Sequence, residues 1–459
     1  MSIINTDLLK LSKDQLFLKC SELNIDKCKS KNKSELIKLI ESKNNILQEP
    51  EIINTNISLK SNKENSNKLK FIDLFCGIGG FHQALNNLNG ECVFACDIDK
   101  KCRKIYEKNY GLTPHDDIIN VDETKIADFD ILCAGFPCQA FSNAGKKNSF
   151  KDKRGTLFEH ILRIAVEKKP SFMFLENVKH IKKIENGKVF EHIIKRINES
   201  GYYVNNETIF ELSPHQLGVP QHRERVIFVC IRKDLYDVSK KIEIIPPNID
   251  INIDNIIEKN VININKYKIP DEVENILNAW DEIIKEMNTG ETLSPTILCN
   301  EFNNNYSDDE FNMLPDWKQD YITKNKPLYN KYKDQWDKWY EKYKDLLQKK
   351  EIYGKLEWQV GKKKENDSIW NYFIQLRQSG IRVKKSDYFP TLVAIVQTPI
   401  YAKERRYITP RECARLQSFS DNFIMDENDH NAYKQFGNAV NVKVVQYVME
   451  KTLKIYGLI

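Results

Sequence analysis

The sequence predicts an α/β fold: an open sheet with flanking helices, a smaller inserted region and a short helical module in front. Three observations predict it. From residue 68 onward, short apolar runs that read as buried strands alternate with segments of helical periodicity. The first strand runs into a glycine-rich turn, Cys76-Gly-Ile-Gly-Gly80, and then into a helix. The alternation stops over 246–388 and returns over 389–459.

Composition bounds the reading. With 459 residues the chain can bury a large core in two or three domains. Hydrophobic content of 41% and charged content of 29% are those of a soluble globular enzyme. No apolar run reaches the length of a membrane span and no secretory signal opens the sequence, so an intracellular, soluble protein is expected. Eleven cysteines without a C-x-x-C pair fit neither a disulfide framework nor a zinc ribbon, and no metal site is expected. A net charge of +5 permits nucleic acid as a partner without requiring it.

In residues 1–45, Leu16, Cys20 and Leu23 fall at helical spacing, and Leu36, Ile37 and Ile40 repeat it after a polar bend from Asp26 to Asn32. Lysines at 27, 29, 31, 33 and 38 decorate the pair. This basic helix–bend–helix resembles a SAP-type DNA-binding module. Residues 46–67, with repeated Asn, Ser and Lys, read as a linker.

The main body begins with a strand, Leu69 to Phe75, then the glycine turn, and then a helix with Phe81, Ala84, Leu85 and Leu88 on one face. A second strand, Glu91 to Cys96, ends at Asp97, twenty positions after Gly77. Such a βαβ unit binds the adenosine part of a cofactor: the glycines let backbone approach the ligand and the acid takes ribose hydroxyls. Position 82 is His, so the turn is not the G-x-G-x-x-G of a plain NAD site. Further strands are predicted at 129–134, 171–175 and 225–231, and helices at 156–168, 271–287 and 328–349. In the last helix, Tyr329, Tyr332, Trp336, Trp339, Tyr343 and Leu347 form a stripe, read as helix core in preference to base stacking. Ile374 to Lys385 mixes β-branched residues with Arg and Lys and reads as strand and loop facing a polyanion. Thr409-Pro410 reads as an N-cap with proline at the first helical position.

The stretch that carries chemistry is Gly135-Phe-Pro-Cys-Gln-Ala-Phe-Ser142. The strand at 129–134 ends there, because Pro137 cannot continue a central ladder. Cys138 is thereby placed on a loop at the carboxyl end of a strand, where open α/β sheets put ligands. A cysteine there is either a nucleophile or a small buried hydrophobe, and the loop alone leaves both open. Glu176-Asn177, after the 171–175 strand, and Gln221 to Arg225, before the 225–231 strand, fall on the same sheet edge.

Taken together and in order, these pieces resemble the cytosine-5 DNA methyltransferases over residues 68–459. Phe71 to Gly80 is similar to the family's first motif, Asp97-Ile98 to the second and Asp116-Asp117-Ile118 to the third. Gly135 to Ser142 is similar to the fourth, Arg154 to Leu157 to the fifth, Glu176 to Val178 to the sixth and Gln221-x-Arg-x-Arg225 to the eighth. Ile408 to Gln417 and Gly437 to Val440 match the ninth and tenth. Asn441 and Val442 depart from the proline pair that often follows the tenth, and Ser418 replaces a frequent glycine after the ninth.

The resemblance implies a Rossmann-like sheet of the S-adenosylmethionine-dependent methyltransferases with an inserted target-recognition domain. The catalytic part then spans 68–245 and 389–459, and the recognition part 246–388. It implies Cys138 as the nucleophile, Glu176 holding the cytosine ring, and Arg223 and Arg225 at the ring oxygen or a phosphate. It implies S-adenosylmethionine as cofactor across Phe75, Gly77, Gly79, Asp97, Ile98, Asp117, Ile118 and Asn438. The target cytosine must be flipped out of a duplex, and Ser142 to Arg154 would be the loop that closes over it. The implied partner is double-stranded DNA, with a restriction endonuclease acting on the same site as a possible second one; the chain is expected to act as a monomer. The alternative is an RNA cytosine-5 methyltransferase of the tRNA-methylating branch, which usually lacks so long an insertion before the ninth motif. A regulatory DNA-binding protein with a decayed site would need a lost nucleophile, glutamate or cofactor turn, and all three are intact.

Overall fold

The computed structural model describes residues 68–137 and 156–459 apart from 248, 303 and 305, together with residues 12, 13, 15, 16, 32–37 and 40. The chain divides into the units Met1–Ser66 and Asn67–Ile459. In the first unit two helical starts carry reciprocal caps. Ser12 and Gln15 exchange side-chain and backbone bonds of 2.8 and 3.2 Å, and Asn32 and Glu35 bonds of 2.8 and 3.0 Å. Leu16, Leu36, Ile37 and Ile40 are buried, as the helical spacing requires. Cys20, Leu23 and the lysines at 27, 29, 31 and 38 lie outside the described residues.

The second unit is built on a seven-stranded sheet. In chain order its elements are β1 (Lys70–Leu74), α1 (Gly80–Asn86), β2 (Glu91–Cys96), α2 (Lys100–Tyr110), β3 (Ile131–Gly135), α3 (Thr156–Lys168), β4 (Phe172–Val178), α4 (Lys188–Glu199), β5 (Tyr202–Tyr203), β6 (Ile209–Leu212) and β7 (Arg225–Arg232). The strand order is β2-β1-β3-β4-β7-β5, with β6 also on β7. Strands β2, β1, β3 and β4 are parallel and β7 runs against them. The order reverses between β1 and β3, which opens a crevice at their carboxyl ends.

Both faces of this sheet are covered, so its strands are apolar on both sides. Phe172 and Phe174 of β4 face one core, with Phe71, Val229, helix α1 and the last helix of the chain, Val442–Ile455; Met173 and Leu175 face the other, with Leu132, Phe228 and helices α3 and α4. Here α9 (Pro410–Leu416), α10 (Asp429–Asn438) and α11 (Val442–Ile455) are the last three helices. Thr409 caps α9 in a capping box with Glu412, and Pro410 is its first residue, as predicted.

A second, six-stranded sheet stands apart, in the order β13-β12-β10-β11-β9-β8. It comprises β8 (Thr296–Leu298), β9 (Lys355–Gln359), β10 (Phe373–Arg377), β11 (Gly380–Lys384), β12 (Ile400–Tyr401) and β13 (Arg406–Tyr407). Helices α5 (Asp271–Glu286), α6 (Asp308–Asn312), α7 (Asp316–Lys331) and α8 (Lys333–Gln348) accompany it. The helix expected at 328–349 is therefore two helices that meet at Tyr332, where φ is −122°. The aromatic stripe is core: Trp336 and Trp339 pack on Trp280 of α5 at 6.3 and 5.0 Å between ring centroids. Asn325 closes the β8 edge, accepting from Leu298 N–H and donating to the Thr296 carbonyl. This sheet reaches Tyr407, past residue 388, while Ile256 packs in the core of the first sheet.

Among the described residues no helix is long and apolar enough to cross a membrane, and no group of three or more His, Cys, Asp or Glu could hold a metal ion.

Candidate active site

The glycine turn sits at the carboxyl end of β1. Phe75 and Gly77 both have φ near 53°, and Gly79 has φ 91°, a left-handed path that costs least at glycine. Asp97, just past β2, holds the turn: its carboxylate accepts from Gly77 N–H at 2.7 Å and from Asp99 N–H at 2.8 Å. Burial raises the Asp97 pKa, and those two backbone bonds oppose the rise. Above the turn there is open space, since a Cβ added at Gly77 would meet nothing within 4 Å. Tyr110 donates to the Gly79 carbonyl at 2.9 Å and stacks on His82 with centroids 3.8 Å apart. His82 Nδ1 lies 2.6 Å from the Tyr106 hydroxyl, and burial lowers the His82 pKa to about 4, so the ring is neutral at neutral pH. The residue that breaks the G-x-G-x-x-G pattern thus packs beneath the turn and supports it.

Two isoleucines that follow Asp97 and Ile118 in the chain are exposed. Ile98 is 78% exposed and Ile119 51%, whereas Ile118 is buried in the core. Asp117 caps the short helical turn at Ile118 by accepting from Ile119 N–H at 3.0 Å. Asn438, the last residue of α10, is exposed. An exposed isoleucine directly after Asp97, whose carboxylate holds the open, glycine-lined turn, suits a flat, partly apolar ligand such as adenine. Ile119 was not among the sequence candidates; its neighbour's place in the third motif was the available signal.

On the strand next to β1, β3 ends at Gly135, which pairs with Glu176 of β4. Glu176 Oε1 meets Arg225 Nε at 2.9 Å, and the two side chains are only 11% and 13% exposed. A Cβ on Gly135 would stand 3.9 Å from Glu176 Oε2, so the second carboxylate oxygen faces the segment that leaves β3. Asn177 fixes that segment by donating to the Phe136 carbonyl at 3.0 Å. Cys138, Ser142 and Arg154 lie outside the described residues. All eight described cysteines have thiol pKa values pushed up by burial, so none of them is a thiolate at neutral pH.

Arg223 is placed differently from Arg225. It precedes β7, is 2% exposed, and donates to the carbonyls of Leu392, Gly437 and Ala439 at 2.7, 3.0 and 3.0 Å. Burial and the Arg225 charge both act against its cation, and Glu176 and the three carbonyls hold it. Both terminal nitrogens are thus taken up in joining the segment after Phe389 to the end of α10. Beside it, Phe389 N–H donates to the Pro220 carbonyl at 2.7 Å, and the Gln221 carboxamide is fully buried without a partner among the described residues.

The arrangement is a nucleotide-type crevice next to a buried carboxylate–guanidinium pair. The model of one family, C-5 cytosine-specific DNA methylase, matches residues 69–454. The chain belongs to that family. This methylase is 32% identical over 380 residues to the type II methyltransferase M.HhaI of Haemophilus parahaemolyticus, covering 83% of this chain and 93% of that one. It is 31% identical to M.HpaII of Haemophilus parainfluenzae over 90% of this chain and 97% of the other. Among solved structures, the Entamoeba histolytica methyltransferase EhMeth superposes with TM-score 0.50 at 20% identity, covering 84% of this chain and 98% of that one. A DNMT2 variant from Spodoptera frugiperda gives 0.51 at 17% identity over 84% and 100%. These last two show the shared α/β fold. The methylase is a DNA cytosine-5 methyltransferase, and enzymes of its family take their methyl group from S-adenosylmethionine.

Proposed function

We propose that this methylase flips a cytosine out of duplex DNA, adds the Cys138 thiolate to carbon 6 and methylates carbon 5. The observation that carries this reading is the buried Glu176–Arg225 pair, set at strand ends beside the segment that leads to Cys138. Carbon 5 of cytosine is a poor nucleophile on its own. When the Sγ–C6 bond forms, the C5–C6 π electrons are released toward carbon 5 and the ring, which makes carbon 5 enamine-like. Glu176 holds ring nitrogen 3 and the exocyclic amine, passing its carboxyl proton to nitrogen 3 as the thiolate adds so that no net charge builds on the ring. Arg225 orients that carboxylate through Nε and, at the ring oxygen, opposes the charge that develops there. After the new C5–C bond forms, the C5 proton leaves to water, the C5–C6 double bond returns and the Sγ–C6 bond breaks. Arg223, with both terminal nitrogens bound to backbone, is a positioning residue in this scheme.

S-adenosylmethionine supplies the methyl group as an electrophile on sulfur. The residues that would hold it are Phe75, Gly77 and Gly79 of the turn, Asp97 at the ribose, Ile98, Asp117 and Ile118 at the adenine, and Asn438 at the methionine end. The exposed Ile98 and Ile119 faces and the open space over Gly77 support that assignment. Ile118, being buried, contributes backbone. Asp97→Ala should weaken S-adenosylmethionine binding by about 1.5–3 kcal/mol, the worth of a charge-assisted hydrogen bond. Calorimetry showing unchanged affinity would remove Asp97 from the site.

The second sheet, with Arg377 and Arg382 both bridged to Glu357 at 3.1 and 2.9 Å, is the proposed target-recognition region. A restriction endonuclease cutting the same sequence is the proposed biological counterpart, as it is for type II systems in general, and the monomer is the proposed active form. The test is transfer of labelled methyl from S-adenosylmethionine to duplex DNA and, separately, to tRNA. Label in duplex DNA at carbon 5 of cytosine is expected; label in tRNA alone would overturn the DNA reading.

A further inference from the structure

Strands β9, β10 and β11 of the second sheet bury one face and leave the other polar. Ile374, Ile381, Val383, Leu356 and Trp358 alternate into the apolar core that α5 and α8 share. On the opposite face Gln375, Arg382 and Glu357 stand side by side across the three strands. Arg377, Lys384 and Lys355 share that face, so four cations surround a single carboxylate.

The cations are not equivalent. Lys384 donates to Asp387 and to the Tyr388 carbonyl at 3.0 and 3.1 Å, and Lys355 pairs with Glu351. Arg377 gives a terminal nitrogen to Glu357 at 3.1 Å. Arg382 reaches the same carboxylate oxygen through Nε, at 2.9 Å, and neither of its terminal nitrogens has a partner among the described residues. Glu357 is 7% exposed and also accepts from the Ser379 hydroxyl. One cation is enough to neutralise a buried carboxylate, and this one has two. Arg382 is thus clamped at Nε with its terminal fork open, on a side chain that is 24% exposed.

This face is the one turned toward the catalytic body. Phe373, which lies on it, stacks on Phe389 with centroids 4.0 Å apart, and both belong to the core of the first sheet. Gln375, the neighbour of Arg382 across the ladder, donates to the Gln397 carbonyl at 2.7 Å. From Gln397 the chain leads back to Leu392, whose carbonyl accepts from Arg223, two residues before the Arg225 that pairs with Glu176. Leu392 and Gln397 are at most about 18 Å apart by chain length, the rise of about five base pairs. The polar face and the pocket edge are therefore neighbours on the scale of a short DNA site.

We propose that Arg382 reads a guanine of the methylated sequence, its terminal fork donating to O6 and N7 of that base in the major groove. The proposal rests on the DNA cytosine reading above and deepens it. Guanine presents two acceptors side by side on its major-groove edge, which a guanidinium fork matches and a lysine ammonium does not. Glu357 is a positioning residue: by holding Nε it sets the plane of the fork before DNA arrives. Arg377, with one terminal nitrogen already taken up, keeps the cluster positive toward a polyanion.

The experiment uses the full chain and a duplex carrying its methylation site, mapped beforehand by sequencing DNA modified by the wild-type protein. Each guanine of the site is replaced in turn by 7-deazaguanine, which lacks the N7 acceptor, and by inosine, which keeps O6 and N7. At one guanine, wild-type kcat/KM should fall roughly fivefold or more with 7-deazaguanine and change little with inosine. Arg382→Ala should lose roughly tenfold or more on the unmodified duplex and almost nothing further with 7-deazaguanine at that position. Its penalties at the other guanines, its melting temperature and its S-adenosylmethionine affinity should be those of wild type. Arg382→Lys, which keeps the charge without the fork, should retain wild-type affinity for unrelated duplexes and still lose the response to 7-deazaguanine. Unaltered 7-deazaguanine penalties at every guanine in both variants, or an equal loss of affinity for all duplexes, would overturn guanine reading by Arg382. Failure of the wild-type protein to methylate any duplex would instead overturn the DNA cytosine reading on which the proposal rests.

Discussion

In the Cys138→Ala variant, methyl transfer to duplex DNA should fall by roughly 10⁴-fold or more, the scale on which enzymes lose rate when a covalent nucleophile is removed. S-adenosylmethionine affinity, read by calorimetry, stays at the wild-type value, since no residue assigned to the cofactor is altered. The asymmetry follows from the chemistry. On the proposed mechanism, positioning by Glu176 and Arg225 would survive the substitution, but without an Sγ–C6 bond there would be no electron release toward carbon 5. The wild-type protein should in addition form a stable covalent adduct with a duplex carrying 5-fluorocytosine at the target. Fluorine cannot leave carbon 5 as a proton does, so the Sγ–C6 bond cannot break by elimination. No other described cysteine can take over, because burial keeps each of those thiols protonated. Retained turnover in the alanine variant, or absence of an adduct with the fluorinated duplex, would refute covalent catalysis by Cys138.

What the sequence made legible, and what it hid, follows from the range of the interactions involved. The central strands were legible because burial on both faces leaves near-continuous apolar runs, as in Phe172 to Leu175 of β4. The start of α9 was legible because its cap is local: Thr409, Pro410 and Glu412 lie within one turn. The break at Tyr332 was hidden because the aromatic stripe keeps its period across two successive helices. The reach of the second sheet to Tyr407 was hidden because β12 and β13 have two residues each, too few to show a period. The spacing of Arg223 and Arg225 suggested one shared role. β7 begins only at Arg225, however, so the pair does not share a strand face, and the carbonyls that Arg223 meets are about 170 and 215 positions away. The two departures from the family pattern touch each other. Ser418 adopts φ 62°, where glycine is frequent, and its hydroxyl lies 3.4 Å from Asn441, whose carboxamide also caps α11 and donates to the Leu416 carbonyl. Pairing of that kind leaves no trace in one sequence read from end to end.

The second large effect is on stability. Arg406 ends the second sheet and Glu412 opens α9 in the catalytic body, and both side chains are 0% exposed. Their contact is bidentate, at 2.7 and 2.8 Å, and Glu412 also accepts from the backbone N–H groups of Thr409 at 2.7 Å and Glu258 at 3.0 Å. Breaking this buried pair from one side leaves Glu412 with backbone donors but no cation, or leaves Arg406 with only the part-exposed Glu404, at 2.6 Å, as its counter-ion, in a medium that solvates charge poorly. Arg406→Met and Glu412→Ala should therefore each destabilise the protein by about 3–5 kcal/mol in denaturant titrations. The double variant should lose less than the sum of the two, by about 1–3 kcal/mol, because neither half of the fully buried pair is left behind and Glu404 is exposed enough to be solvated. It should still fall short of wild type, since the Thr409 and Glu258 N–H groups would lack their acceptor. S-adenosylmethionine affinity per folded molecule should not change, because neither residue is among those assigned to the cofactor. Additive losses in the double variant would mean that each residue acts independently, and that the pair does not join the two sheets.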